Sequence, residues 1–548
     1  MAELNGGQLA VRQLKAAGVD TIFGVVAGPM IEIMAAGVEA GLRVVNCRHE
    51  VSAGFMASAW GYVKRLPGVV VVGSGPGMTN SVTPMHVATE SAMPLVVLGG
   101  STYGPTRGLG GFQEADQMAF AQPGCKWTRQ VDATGRIPEY LHLALGRSVA
   151  GRPGAVYLDF PGHIVGNRVA EERVRFRDAA PEVTRAHPDP NAIDLLAEML
   201  TRAERPLVVI GKGAAWSGAG DALRRLADRG IPYVCSPMSR GTIPDDHPSF
   251  MNGARSAALR GADVLLMVGG RFNWIFGFGG PGRVAKGGRR AQIDIEAEEM
   301  YSGADVELGI VADAAVAVDQ LVAALDGRSL HSAQGSWLAE LRAKREANEA
   351  ALAGAMASDA VPIDPHRLLA ELREVLPRDS SVAVDGETTM GITRQILPVY
   401  RERALLNSGT TGCMGTGVPY AIGAKLARPG APSVAILGDY AFGAAALEVE
   451  TAARIGAGVV FVVANNEGIA GHSIQDGMFP PGSPRVASLL PAHYEKMAEM
   501  VDGHAERVEK PDEIQPALER ALAADRPALV HVRVDPKATR LSGGVYLR

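Results

Sequence analysis

Two polar turns, each closing an apolar run, constrain this chain more than any other feature. Gly438-Asp439-Tyr440 follows the apolar residues 433–437, and Asn465-Asn466-Glu467-Gly468 follows the apolar residues 459–464. The pattern predicts a helix over 445–455 between two buried strands, a βαβ unit whose right-handed crossover leaves the strands parallel and close. Asp439 and Asn466 then converge at the carboxyl edge, where open α/β sheets bind ligands. One carboxylate, one amide oxygen and the backbone carbonyl of Gly468 suit Mg²⁺, which takes about six oxygens and shares them with phosphates and water. A diphosphate would supply the remaining ligands, with the backbone approaching it at Gly438 and Gly443 and the helix N-terminus offering free N–H groups. An ordinary strand-to-helix turn accounts for Gly438-Asp439 alone. The paired Asn at the end of the next strand favours the clamp.

The whole sequence is compatible with such a unit repeated. Its 548 residues predict three or four domains, and 47% hydrophobic content supports ordinary globular cores. Helical patterns alternating with buried apolar runs imply α/β architecture, with three doubly wound parallel-sheet domains over 1–170, 191–335 and 362–535. A charged, Pro-containing connector is expected over 168–190, a long helical stretch over 336–356, and a tail over 536–548 as a candidate active-site lid. A net charge of −5 argues against nucleic acid, and the Arg283 to Arg290 cluster is read as a solvated loop. Cys47, Cys125, Cys235 and Cys413 are isolated, so neither a zinc site nor a disulfide framework is expected. No apolar run approaches the ~20 residues of a membrane span. With no signal or peroxisomal tail recognised, a cytoplasmic setting is expected.

Three further segments join the clamp. Arg48-His49-Glu50 lies at a strand-to-helix junction and is followed by Ser74-Gly75-Pro76-Gly77 after the apolar run 69–72. Gly409-Thr410-Thr411-Gly412-Cys413-Met414-Gly415 and Asp385-Gly386-Glu387-Thr388-Thr389 are Gly-containing loops after short apolar runs. Taken together, the chain resembles the thiamin-diphosphate (ThDP) enzymes, whose diphosphate motif runs from Gly-Asp-Gly to Asn-Asn; here Tyr440 replaces the usual small third residue. The resemblance implies that Glu50 bonds the aminopyrimidine N1′ and favours its imino tautomer. It also implies that Met414 wedges between the cofactor rings and that the Gly412 carbonyl accepts from the 4′-amino group. Pro29, Thr388, Gly438, Asp439, Tyr440, Ala441 and Asn466 would complete the cofactor contacts, with Mg²⁺ on Asp439, Asn466 and Gly468. Because Glu50 and the clamp lie in different domains that face each other across a subunit interface in this family, a homodimer is implied as the minimal active unit and a homotetramer is expected.

The middle domain bears on the branch of the family. Gly211-Lys212-Gly213 lacks the third glycine of a dinucleotide loop. Gly269-Gly270-Arg271-Phe272-Asn273-Trp274 resembles the signature of oxalyl-CoA decarboxylases and 2-hydroxyacyl-CoA lyases, and Phe112-Gln113-Glu114 looks more like the lyases. The activity implied is cleavage of a 2-hydroxyacyl-CoA to formyl-CoA and an aldehyde or ketone. An oxalyl-CoA decarboxylase or an acetolactate-synthase-like, flavin-binding carboligase are the alternatives, and a non-enzymatic homologue is a remote one. Gly28 and Ala470 stand where the family carries larger side chains, which suggests a roomier pocket and branched substrates such as 2-hydroxyisobutyryl-CoA. Gly28, Phe112, Gln113, Ala470, Asn273, Arg403 and Ser542 are the candidate substrate contacts. Glu50, Gln113 and His472 are the candidate catalytic residues, with Glu114 a second titratable group for the substrate hydroxyl. Some relatives bind ADP in the middle domain, and Asp294 is where its ribose would be held.

Overall fold

A computed structural model describes residues 3–177, 184–280 and 282–538. Three parallel sheets carry the chain, in agreement with the expected fold class. The first contains, in spatial order, Arg43–Asn46, Thr21–Gly24, Gly68–Val72, Leu95–Ser101, Ala155–Pro161 and Trp127–Gln130. The third contains Leu405–Leu406, Ser381–Asp385, Ser433–Gly438, Val460–Asn465, Ala528–Arg533 and His504–Val508. Numbered in chain order, both read 2-1-3-4-6-5, so the first and last sheets share one topology. The middle sheet has five strands in the order Tyr233–Cys235, Pro206–Ile210, Val264–Val268, Arg289–Asp294 and Leu308–Val311. Most of these strands are buried along their length, and apolar runs rich in Val and Ile form them because both sheet faces are covered by helices.

Equivalent helices join the two like-folded units. Glu50–Lys64 and Gly417–Ala427 each follow the second strand of their sheet, and they form the most extensively packed pair of elements in the chain. Both are apolar on nearly every side, the pattern of a helix buried all round rather than one lying at a surface. Gly423 permits the close approach, since a Cβ there would stand 2.4 Å from the carbonyl oxygen of Met56. Phe55 meets Tyr420 edge-on at 5.7 Å, and one continuous core runs from Phe55, Trp60 and Tyr62 to Ile422, Leu437 and Phe442. The buried Glu448 carboxylate of the third unit also accepts from the N–H groups of Arg48 (3.1 Å) and His49 (3.2 Å), immediately before the helix that opens with Glu50.

Two sequence expectations change in detail. The segment expected as a connector contains a strand, Arg168–Ala170, which pairs antiparallel with Glu3–Asn5 and returns the chain to the start of the first unit. The helix expected over 445–455 spans only Glu448–Arg454, and a separate short helix, Asp439–Gly443, precedes it across a turn. Asp439 occupies the first turn of the earlier one, where a carboxylate is favoured by the free N–H groups. Glu448 opens the later helix while its carboxylate is turned to the first unit.

Candidate active site

The register of the third sheet assembles the clamp. Asp385 pairs with Leu437 and Gly438 with Ala464, so the turns at Gly386, Asp439 and Asn466 emerge side by side at the carboxyl edge. One end of the Asn466 amide lies 2.9 Å from the carbonyl oxygen of Gly468 and 3.0 Å from Asp439 Oδ1; the other end lies 3.1 Å from the Gly471 nitrogen. With no cation present, the amide NH₂ must face the two oxygens and donate to both. With a cation between them, turning the amide presents three oxygens of three kinds to one point, the donor set a hard divalent ion takes.

Asp439 supports the fit independently. It is buried, and its Oδ2 has no hydrogen-bond partner. Burial pushes its carboxyl up to about 7, only partly countered by the N–H groups of Tyr440 and Gly468. A bare buried carboxylate is costly unless something charged pairs with it. Around it, a Cβ at Gly412, Gly438 or Gly443 would meet nothing within 4 Å, leaving an open cradle beside the turns. The Tyr440 side chain is partly exposed while Ala441 and Phe442 pack inward, so the phenol leaves the backbone of the turn accessible. Among the described residues no group of three or more His, Cys, Asp and Glu side chains is placed to hold a metal, and the clamp has only one such residue.

Gly412 and Met414 line a cavity of about 240 Å³ together with Gly386, Glu387, Met390, Arg394 and Trp274. Gly412 takes a left-handed φ of +63°, which glycine adopts without strain. Thr388 lies half-buried in the adjacent helix Glu387–Ile396, while its neighbour Thr389 turns inward, its hydroxyl donating to the Asp385 carbonyl at 2.6 Å. Arg403 lies outside this cavity. Its guanidinium donates to the Ala215 carbonyl at 2.7 Å and pairs with Glu402 at 2.8 Å, which ties the middle unit to the third. Arg394 is the cation that lines the cavity, and it was not singled out from the sequence.

A second cluster forms at the carboxyl edge of the first sheet. Asn80 Nδ2 donates to Glu50 Oε2 at 3.0 Å, and the Ser74 hydroxyl donates to Gln113 Oε1 at 3.0 Å. One short segment, residues 74–80, a turn leading into the helix Pro76–Asn80, therefore steadies both side chains. Gln113 has a φ of +55°, which is strained for a residue with a Cβ and persists only where surroundings hold it. Gln117 Oε1 accepts from the Gly75 N–H at 2.6 Å, and its Nε2 donates to Asp159 Oδ1 at 3.0 Å, anchoring the turn to the buried end of a central strand. The Glu114 carboxylate accepts from the N–H groups of Gly108 and of Gly111 (2.9 Å), bonds that hold its pKa below the ordinary range. It clasps its own loop. Phe112 is 88% exposed, and the Pro29 ring packs toward Gly100 and Gly162.

The remaining candidates are dispersed. A Cβ at Gly28 would meet nothing within 4 Å, and its φ of +41° is a left-handed conformation that disfavours a branched side chain. Ala470 has a φ of +52° and lies on the turn that follows the clamp. His472 Nε2 stands 3.5 Å from Glu467 Oε2, and its backbone N–H donates to the Pro536 carbonyl at 2.9 Å, so the root of the C-terminal segment rests on this turn. Ser542 lies outside the described residues. Asn273 and Asp294 line a separate, larger cavity of about 590 Å³, where Lys212, Arg152 and Arg271 are gathered. Trp274 of the same motif donates from its indole to the Thr410 carbonyl at 3.1 Å, docking the middle unit on the Gly412 loop.

Sheets of this topology with a buried carboxylate lacking a partner and an open glycine cradle at the carboxyl edge fit a cofactor enzyme, and the comparisons agree. Residues 4–120 match the N-terminal TPP binding domain of thiamine pyrophosphate enzymes, 193–321 their central domain, and 386–532 their C-terminal TPP binding domain. The chain belongs to this family, and its cofactor is thiamine diphosphate. It is 35% identical to the 2-hydroxyacyl-CoA lyase of Oryza sativa subsp. japonica, over 99% of this chain and 97% of the relative. The oxalyl-CoA decarboxylase of Escherichia coli (strain K12) is 33% identical over 99% and 97% of the two chains. The acetolactate synthase large subunit IlvG of Mycobacterium tuberculosis is 34% identical over 97% and 96%. Among the described residues no helix is long and apolar enough to cross a membrane.

Proposed function

We propose that the protein cleaves the carbon–carbon bond of a 2-hydroxyacyl-CoA, giving formyl-CoA and an aldehyde or ketone. The observation that carries this reading is the shared turn in the first unit: Asn80 holds Glu50 and Ser74 occupies the oxygen of Gln113, leaving the Gln113 NH₂ to donate. A carboxyl for the cofactor and an amide for a substrate oxygen are thus set off one backbone segment. Bound ThDP supplies a nucleophilic carbon and an electron sink for the bond that breaks. Glu50 holds a proton at the pyrimidine N1′, and Gln113 orients the substrate through its hydroxyl or thioester oxygen. His472 receives the hydroxyl proton, with the Glu467 carboxylate 3.5 Å from its Nε2. That proton is balanced by one delivered to the formyl carbon, so no oxidant is needed.

Asp439, Asn466 and Gly468 hold Mg²⁺ in this reading, and Arg394 replaces Arg403 as the candidate partner for the anionic part of CoA. The larger cavity suits ADP. Lys212 is buried there, and burial together with the nearby Arg152 and Arg271 lowers its affinity for a proton, a cost that a diphosphate would relieve. The active unit is a homodimer, within a tetramer, in the cytoplasm. The domains run over 1–170, 191–335 and 362–535, with 536–548 as lid. Exposed Phe112, Leu109 and Met414, all placed on active-site loops, suit cover by a second copy.

Incubation with a panel of acyl-CoA thioesters tests the activity. Formyl-CoA and acetone from 2-hydroxyisobutyryl-CoA, faster than products from a linear 2-hydroxyacyl-CoA, support the branched-substrate reading suggested by Gly28 and Ala470. Absence of acetone rejects that preference. CO₂ from oxalyl-CoA with no lyase products replaces the main reading by the decarboxylase one. Glu50→Gln is expected to retain ThDP and lose about 10²-fold or more in turnover; full activity overturns the role of Glu50.

A further inference from the structure

Beside the clamp lies a buried row of hydrogen bonds that the proposed reaction does not use. His531, 1% exposed, sits on the strand Ala528–Arg533 next to Val460–Asn465. Its Nδ1 is 2.6 Å from Glu495 Oε2, and its Nε2 is 3.0 Å from Asn465 Nδ2. A carboxylate only accepts, so Nδ1 carries the imidazole proton and Nε2 is left bare to accept from the Asn465 amide. The amide oxygen of Asn465 then points the other way and accepts from the Glu467 N–H at 3.0 Å. Burial lowers the affinity of His531 for a second proton, which is consistent with one tautomer carrying one N–H.

The last bond in the row is the consequential one. Glu467 has a φ of +59°, a left-handed conformation that is disfavoured for a residue with a Cβ. Its neighbours on either side, Asn466 and Gly468, are the two clamp residues that meet Asp439. The same row is packed onto the opposite half of the clamp. Tyr494 stands edge-on to His531 at 5.6 Å and to Phe442 at 5.8 Å, and Phe442 lies in the short helix that begins at Asp439.

We propose that Glu495, His531 and Asn465 form a positioning relay for the metal-ligand turn: the carboxylate selects the imidazole tautomer, the tautomer orients the amide, and the amide holds Glu467 in the conformation that presents Asn466 and Gly468. None of the three touches the cation. The inference rests on the cation site described under Proposed function. It also separates the roles of the two adjacent asparagines, one facing the ion and one facing the core.

The test uses the full-length apo-protein and equilibrium dialysis of ThDP at fixed concentration against increasing Mg²⁺, with no substrate present. Asn465→Ala and Glu495→Leu are each expected to raise the half-saturating Mg²⁺ about tenfold or more, the usual loss when a group supporting a ligand is removed. Glu495→Gln, whose amide oxygen still accepts from Nδ1–H, is expected to stay within about threefold of wild type. The double variant Glu495→Leu/Asn465→Ala should be no worse than Asn465→Ala alone, because serial links do not add. Half-saturation unchanged in Asn465→Ala, or Glu495→Gln as impaired as Glu495→Leu, overturns the relay even if the thermal midpoint falls. If Glu495→Leu does not fold, the Asn465→Ala result decides. Wild-type ThDP retention that is independent of Mg²⁺ rejects the cation site itself, and the relay with it.

Discussion

Asp439, the proposed metal ligand, carries a burial cost that a bound cation would relieve. Its Oδ2 is buried and without a hydrogen-bond partner, and the N–H groups of Tyr440 and Gly468 offset the burial of the carboxyl only in part. Asp439→Asn is therefore expected to raise the thermal midpoint of the apo-protein, worth about 1–3 kcal/mol, while abolishing Mg²⁺-dependent retention of ThDP. Differential scanning calorimetry with and without ThDP and Mg²⁺ separates the two effects. Asp294 in the middle unit offers a parallel case through pH. Burial pushes its carboxyl from 3.8 up to about 6. Between those values the folded state binds a proton that the unfolded chain releases, so stability is highest below the lower value and falls as pH rises through the upper one. Asp294→Asn removes this cost, up to about 3 kcal/mol above pH 7. Its melting transition is expected several degrees above wild type at pH 7.5, with the difference closing near pH 4. An equal shift at both pH values would show that another effect of the substitution dominates.

At the level of elements, the controlling contact is between Glu50–Lys64 and Gly417–Ala427. These helices occupy the same place in two sheets of one topology, and each begins beside a loop of the site: Glu50 at the start of the first, Gly412 to Gly415 just before the second. Gly423→Ala would drive a methyl to 2.4 Å from the Met56 carbonyl oxygen, a backbone atom with little room to yield. Overpacking of this kind costs about 1–3 kcal/mol. A lower urea midpoint together with weaker ThDP binding is the expected outcome; lower stability with unchanged ThDP affinity would show that the packing does not position the site. Elements were also where the sequence was least legible. The helix expected over 445–455 is shortened to Glu448–Arg454, after a separate helix that opens at Asp439, and the Glu448 side chain bonds a segment 400 residues away. No local pattern encodes that interaction.

At the scale of the whole molecule, the exposed loops are what the proposed completion of the site by a second copy rests on. Phe112 is 88% exposed and Met414 46%, yet both lie on loops that the clamp and Glu50 mark as functional. Mixing Glu50→Gln and Asp439→Ala subunits, each inactive alone, tests this directly. If sites are shared, random reassortment into dimers places both intact residues in one of the two sites of each hybrid and restores about a quarter of wild-type activity. Activity that stays at the level of the parent variants would place each complete site within one chain.

The sequence alone determined the three parallel sheets, because buried parallel strands leave continuous apolar runs, and it put the candidate ligand-binding groups at the turns ending them. Asp439, Asn466 and Gly468 were candidates for that reason, whereas Glu50 and the Gly412-Met414 loop were candidates through the family resemblance. Tertiary structure decided which polar residues were already engaged. Arg403, a candidate for CoA from the sequence, is bonded to Ala215, and Glu114 is clasped by Gly108 and Gly111. Conversely, Asn80 and His531 emerged as supports for Glu50 and Asn465 only from their distances. A hydrogen bond depends on where two side chains meet after folding, and for His531 and Asn465 that meeting comes from the register of adjacent strands 66 residues apart.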